Sequence, residues 1–280
     1  MADRPTPYSG LCCVVPDRPG VRRAEGWKTD YCRPVHALDF KAVTDPGTVR
    51  TVNQDSVLAR GGVFVVADGI GGGDAGEIAS GLVVAEFAAL ADRGIVGCDD
   101  VLESLRAAHR QVRALNTAAK RGVGTTASGA VTVDVDGVAS WLIFNIGDSR
   151  VYRTEGAGRT GLVQVTVDHS HVQELVDLGV ITAAQAEVHP NRNIVTRAVG
   201  SEDHFEPDLW TVPIVLGERL LICSDGLLRE TSYAEVADII RATEPAGAAA
   251  DQLIELSLRS GARDNVSVIV IDVLEELGQR

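Results

Sequence analysis

Several segments of this chain are apolar at consecutive positions. VFVV (63–66), WLIF (141–144), LLIC (220–223) and VIVI (268–271) all have this character. Successive side chains of a strand point to opposite faces, so such a strand is buried on both sides. Asp136-Gly137 and Gly61-Gly62 stand between apolar runs as hairpin turns. Hairpins make antiparallel sheets. A sheet buried on both faces needs a second sheet on one side and helices on the other.

The remaining segments supply those layers. ALDFKAVTDPG (37–47) reads as a strand with a Pro-Gly turn, and DSVLARGGVFVVADG (55–69) as a hairpin. A first helix carries Ile78, Leu82, Ala85 and Ala89 at helical spacing. A second carries Val101, Leu105, Ala108, Val112, Leu115 and Ala119 on one stripe. Asp100 and Glu103 form its capping box, and Gly122 follows its end. LWTVPIVLGERLLICSDG (209–226) reads as a further strand pair. SYAEVADIIRA (232–242), with a Ser232/Glu235 capping box, and AAADQLIELSLRS (248–260) read as helices. NVSVIVIDVL (265–274) is the last strand, and His169 to Gly200 is helical and loop-like.

Residues 1–36 differ in character. They include PDRPGVRRAEG (16–26) and have no apolar period, so they read as an N-terminal extension to a domain over 37–280. No signal peptide is legible, and no apolar stretch approaches the roughly 20 residues of a membrane span. A cytoplasmic protein, with no membrane partner, is expected. Cys12, Cys13, Cys32, Cys98 and Cys223 contain no C-x-x-C pair, which fits free thiols in a reducing compartment. A formal charge of −13 argues against a non-specific nucleic-acid binder and suits a chain that collects divalent cations.

Aspartates recur at the ends of the apolar runs. Asp68, Asp148 and Asp225 each terminate one and have a glycine beside them; Asp55 and Asp264 stand just before others. Taken singly, each is an ordinary turn or cap residue. Strand ends share sheet edges, so the five carboxylates are expected to gather. Gathered carboxylates repel and raise one another's pKa values, and divalent cations relieve the repulsion. An all-oxygen ligand set suits Mg²⁺ or Mn²⁺. Gly71, Gly72, Gly73 and Gly76 would then keep the loop after Asp68 open, with a helix N-terminus favouring an anion. The same glycines match the dinucleotide pattern G-x-G-x-x-G literally. Against that reading, Asp68 would oppose the pyrophosphate, and the next elements are two helices with no parallel strand between them.

RTVNQDS (50–56), VADGIGGGDAGEIAS (66–80), GTTA (124–127), NIGDSRVYR (145–153), TVDHS (166–170), VTRAVG (195–200), CSDGL (223–227) and RDNVSVIV (263–270) occur in that order. The set resembles the bacterial metal-dependent protein phosphatases, the type 2C serine/threonine phosphatases, from about residue 37 to the C-terminus. The resemblance implies an α+β fold, a four-layer α/β/β/α sandwich of two antiparallel sheets flanked by helices. It implies two Mn²⁺ or Mg²⁺ ions: Asp68 bridging both, the Gly69 carbonyl on the first, and Asp225 and Asp264 on the second. Asp55 would hold a metal-bound water, and Asp148 with Asp225 a third, weaker ion. Arg50 would hold the substrate phosphate. A hydroxide bridging the ions would then attack phosphorus in line, with no phosphoenzyme. Asp55, Asp68 and Arg50 are the implied catalytic residues.

Some family members carry a histidine after the Asp-Gly pair, where this chain has Ile70, and some have Glu where it has Gln54. His169 reads as structural, and Cys223 as a buried thiol rather than a nucleophile. Residues 171–192 correspond to the family's flap, with Pro190, Asn191 and Arg192 as candidate substrate contacts. The implied function is hydrolysis of phosphoserine and phosphothreonine in proteins, with a serine/threonine kinase and its targets as partners. The alternative is a catalytically silent phosphatase-like sensor or scaffold that binds a phosphoprotein.

Overall fold

Two antiparallel sheets face each other in the computed structural model, which describes residues 37–71, 75–94, 96–119, 122–156, 159–201 and 205–274. The expected extension over 1–36, with Cys12, Cys13 and Cys32, lies outside the described residues, as do Gly72 and Gly73.

One sheet is built from β1 (Leu38–Asp45), β7 (Arg150–Thr154), β8 (Leu162–Gln164), β10 (Arg219–Cys223) and β11 (Val266–Val273), in the order β1-β11-β10-β7-β8. The other holds β2 (Asp55–Arg60), β3 (Val63–Ile70), β5 (Ala127–Val135), β6 (Val138–Ile146) and β9 (Asp208–Pro213), in the order β2-β3-β5-β6-β9. The short β4 (Gly124–Thr125) pairs with the end of β3. The β2–β3 and β5–β6 hairpins turn at Gly61-Gly62 and Asp136-Gly137, where all four residues have positive φ. That geometry suits glycine and, next best, aspartate.

The apolar runs divide by parity. Val63, Val65 and Ala67 of β3 pack against the outer helices, whereas Phe64 and Val66 face the opposite sheet. In β11, Val266, Val268 and Val270 go to the helices, and Ile269, Ile271 and Val273 to the middle. The layers are therefore helix, sheet, sheet, helix. Helices α1 (Ala75–Arg93) and α2 (Cys98–Ala119) cover the β2-β3-β5-β6-β9 sheet. Helices α6 (Tyr233–Ala242) and α7 (Ala246–Ser260) cover the other, with the single turn of α5 (Gly226–Glu230) beside them. Two short helices, α3 (His171–Asp177) and α4 (Ala183–Glu187), follow β8 and pack on each other.

Three local expectations are corrected. The buried face of α1 is Ala79, Val83, Phe87 and Leu90, whereas Ile78, Ala85 and Ala89 are exposed. This helix is apolar on most faces, so spacing alone does not choose one. The choice is made by contacts: Phe87 stacks on Phe144 at 4.8 Å, and Ser80 Oγ donates to the Gln54 carbonyl at 2.6 Å. Helix α2 starts at Cys98, and the Asp100 carboxylate reaches back to the Gly97 N–H at 2.9 Å. Asp100 is thus the partner inside the cap, not the cap itself. Finally, β9 and β10 follow one another in the chain but join different sheets. The Ser232/Glu235 capping box of α6 is present as expected.

Phe64 is the hinge of the inter-sheet layer. It is fully buried and meets Phe40 and Trp141 edge-on, at centroid distances of 5.0 Å and 6.1 Å. Replacing it with Ala leaves a cavity between the sheets that flanking strands cannot fill. We expect Phe64→Ala to lose about 3–5 kcal/mol in a urea titration; a loss below about 1 kcal/mol would show that the layer repacks.

Candidate active site

Asp55 and Asp68 stand directly opposite each other in the β2–β3 ladder. The backbone of Asp68 is clamped from the next strand. Its N–H donates to Thr126 Oγ1 at 2.9 Å, and its carbonyl accepts from Thr126 N at 2.8 Å and Thr125 Oγ1 at 2.9 Å. Gly69 N–H donates to the Gln54 carbonyl at 3.1 Å. A Cβ on Gly69 would lie 2.3 Å from the Gly76 carbonyl oxygen. Gly69 and Gly76 therefore let α1 start hard against the strand end. At Gly76 the expectation of a loop kept open for an anion gives way to close backbone packing.

The opposite sheet brings Asp225 from the end of β10 and Asp264 from the residues before β11. Gly226 holds the two together, since a Cβ there would lie 2.0 Å from the Asn265 carbonyl oxygen. Asn265 spans the gap between sheets: its Oδ1 accepts from Gln54 N at 2.9 Å, and its Nδ2 donates to the Pro46 and Val52 carbonyls. Ser267 Oγ on β11 donates to Asp55 Oδ2 at 2.7 Å.

Asp148 sits on the turn between β6 and β7. Gly147 there has φ +108° and no room for a side chain against Thr126. The Gly147 N–H donates to His169 Nδ1 at 3.2 Å, which leaves Nε2 as the protonated nitrogen, 3.2 Å from Asp208. Arg150 grips Asp168 with Nε and Nη2, the latter at 2.6 Å. His169 and the TVDHS segment thus serve the turn that carries Asp148, a structural role as expected.

Four of the five carboxylates reach one cleft between the sheets, and the fifth, Asp55, stands opposite Asp68 in the ladder. Arg50, Asp68, Gly69, Asp148, Asp225 and Asp264 line a cavity of about 850 Å³, and Asp55 lies buried behind it. Burial pushes Asp55 up to about 6 and Asp148 up to about 8. Burial, then the charges of Asp55, Asp225 and Asp148, raises Asp68 well above the usual carboxylate range. Burial also raises Asp225. Asp55 Oδ1 and Asp225 Oδ1 are buried without a hydrogen-bond partner. Crowded, desolvated carboxylates with free oxygens fit a divalent cation chemically. Their side chains do not stand in a ligand shell: among the described residues no three acidic, thiol or imidazole groups converge at metal-binding geometry. Asp264 is instead paired with Arg50 at 2.9 Å, and both Asp225 and Asp264 with Arg229.

Other residues fall differently from expectation. Ile70 and Gln54 line the cleft. Pro190, Asn191 and Arg192 are exposed and do not line it; Asn193 and Val195 do. Cys223 is buried, and burial pushes its thiol up to about 12, as suits an inert side chain. Arg229 was not singled out by its sequence, although its position four residues after Asp225 is the ion-pair spacing of a helix.

The protein phosphatase 2C family model matches residues 48–256, and the chain belongs to this family. It is 39% identical over 249 residues to the serine/threonine protein phosphatase PstP of Mycobacterium tuberculosis, covering 85% of this chain and 45% of that protein, so the chain spans less than half the length of that relative. It is 34% identical over 250 residues to the protein phosphatase PhpP of Streptococcus pneumoniae, covering 85% of this chain and 99% of PhpP. The crystal structure of the PstP catalytic domain in complex with two manganese ions superposes with a TM-score of 0.76 at 35% identity, over 85% of this chain and 99% of that one. The sheets and helical layers described above are those of this α+β family.

The raised carboxylates set a pH dependence. In the folded, metal-free protein Asp55 and Asp148 hold protons up to about 6 and about 8, whereas unfolded aspartate releases them near 3.8. The folded state then binds more protons than the unfolded state across that window, so stability falls as pH rises from about 4 to about 8. Urea titrations in EDTA at several pH values should show this fall, and Asp148→Asn should flatten its upper part. Identical slopes for wild type and variant would refute the assignment.

Proposed function

We propose that this chain is a Mn²⁺- or Mg²⁺-dependent protein phosphatase that hydrolyses phosphoserine and phosphothreonine. The observation that carries the reading is the convergence of Asp68, Asp148, Asp225 and Asp264 on one cleft, with Asp55 opposite Asp68 and buried carboxylate oxygens lacking partners. Membership of the protein phosphatase 2C family supports it. So does the two-manganese complex of the PstP catalytic domain, a protein alike in fold.

In this reading Asp68, the Gly69 carbonyl, Asp225 and Asp264 hold two cations, and Asp148 with Asp225 holds a weaker third. Bound there, the cations supply a nucleophilic water at neutral pH and offset charge on the phosphoryl oxygens. Asp55, with its free Oδ1, would hold a water there. Arg50 lies at the cleft with half its side chain exposed, and its planar fork matches two phosphate oxygens. Ile70 cannot donate a proton, so the leaving hydroxyl takes none from that position. Cys223, held protonated within β10, takes no part. A serine/threonine kinase would supply the phosphoproteins, and the reading places the pair in bacterial signal transduction in the cytoplasm. Among the described residues no helix is long and apolar enough to cross a membrane.

The test is phosphate release from a phosphothreonine peptide with Mn²⁺, with EDTA, and with Asp225→Asn. Release should require Mn²⁺ and fall at least about 100-fold in the variant, the scale of losing one electrostatic stabiliser of the transition state. Cys223→Ala should retain activity. Folded protein that binds phosphopeptide but releases nothing under any metal would sink the enzyme reading and favour a sensor.

A further inference from the structure

We propose that Arg229 is a built-in competitor for the cation site, a positioning residue that sets how tightly the Asp225/Asp264 half of the site takes its metal. The inference rests on the cation-binding part of the reading above. Its basis is geometric. Asp225 occupies the N-cap position of α5, and Arg229 is one turn further along the same helix. Two of its nitrogens engage different acids: Nη2 pairs with Asp225 Oδ2, and Nη1 with Asp264 Oδ2. The close approach of Gly226 to the Asn265 carbonyl fixes α5 against the segment that carries Asp264. The guanidinium therefore bridges the two carboxylates that come from the β10–β11 side of the cleft.

The pairing divides the site unequally. Asp225 and Asp264 already have a cation between them, and Arg50 adds a second contact to Asp264. Among the described residues, no lysine or arginine pairs with Asp55, Asp68 or Asp148. A divalent ion entering on the Asp68 side has no ion pair to displace. One entering between Asp225 and Asp264 must displace a half-buried guanidinium first, and its apparent affinity falls by whatever that ion pair is worth. The Arg229 side chain, 28% exposed, has a solvent face into which it can swing. Arginine keeps its charge at any working pH, so the competitor itself is not switched off by titration.

Calorimetric titration of the full chain with Mn²⁺ tests this, beside thermal scans in EDTA. Arg229→Met keeps much of the volume and removes the charge; Arg229→Gln serves if the methionine variant does not fold. The weaker Mn²⁺ step should tighten about tenfold or more in either variant, the equivalent of losing one modest ion pair. The same variants should melt lower than wild type in EDTA and lose that deficit in saturating Mn²⁺. Arg229→Lys should stay near wild type in both. A purely structural role would weaken metal binding along with stability. Unchanged or weaker Mn²⁺ binding by a folded neutral variant would overturn the proposal. So would a wild type that binds no Mn²⁺, which would remove the phosphatase reading as well. Tightened binding without phosphate release from any form would sustain the role of Arg229 while the phosphatase reading failed.

Discussion

Carboxylates repel one another most where water is scarce, and Asp55, Asp68, Asp148 and Asp225 are all held where burial raises their pKa. Such a cluster cannot persist on a flexible scaffold, because the chain would relax to separate the charges. Here the separation is blocked from several directions. Asp68 is pinned by Thr125 and Thr126, Asp55 by Ser267 across the sheet gap, and Asp148 by the turn that His169 and Asn145 hold. The two sheets behave as jaws whose apolar middle, around Phe64, Trp141 and Ile269, resists the opening that electrostatics favours.

Function and stability therefore pull against each other at the cleft. Native proteins are stable by only about 5–15 kcal/mol, and several desolvated acids consume a large part of such a margin. A bound cation would return it, since anything that binds only the folded state stabilises that state. Arg50 and Arg229 perform a smaller version of the same service with charges that the chain itself carries. The glycines at 69, 147 and 226 belong to this economy too. Each lets backbone approach backbone or side chain more closely than a Cβ permits, which is how the acids are brought within range of one another.

The layer order was legible because parity carries it. Strands apolar at every position have two buried faces, and the hairpin turns exclude a parallel sheet. The five aspartates were legible for a related reason: each marks the point where an apolar run meets a sheet edge. What escaped is what depends on contacts between distant segments. The buried face of α1 is chosen by Phe144 and Gln54, which its own spacing cannot reveal. The split of β9 and β10 between sheets depends on which strands they meet, not on the pattern within them. Asn265 opens the last apolar run in the sequence, yet its side chain joins the segment before β2 to the loop after β1.

Arg229 marks the limit of reading this site from its acids alone. A motif search attends to residues that a cation requires and passes over one that a cation must expel. Yet an arginine one helical turn after a carboxylate is a local, sequence-readable feature, and its consequence follows from charge balance. With Arg229 in place, the two halves of the cleft present different potentials to an incoming ion although both are lined by aspartate. Identical ligand chemistry can thus yield unequal affinities, and the inequality resides in a residue that is no ligand at all.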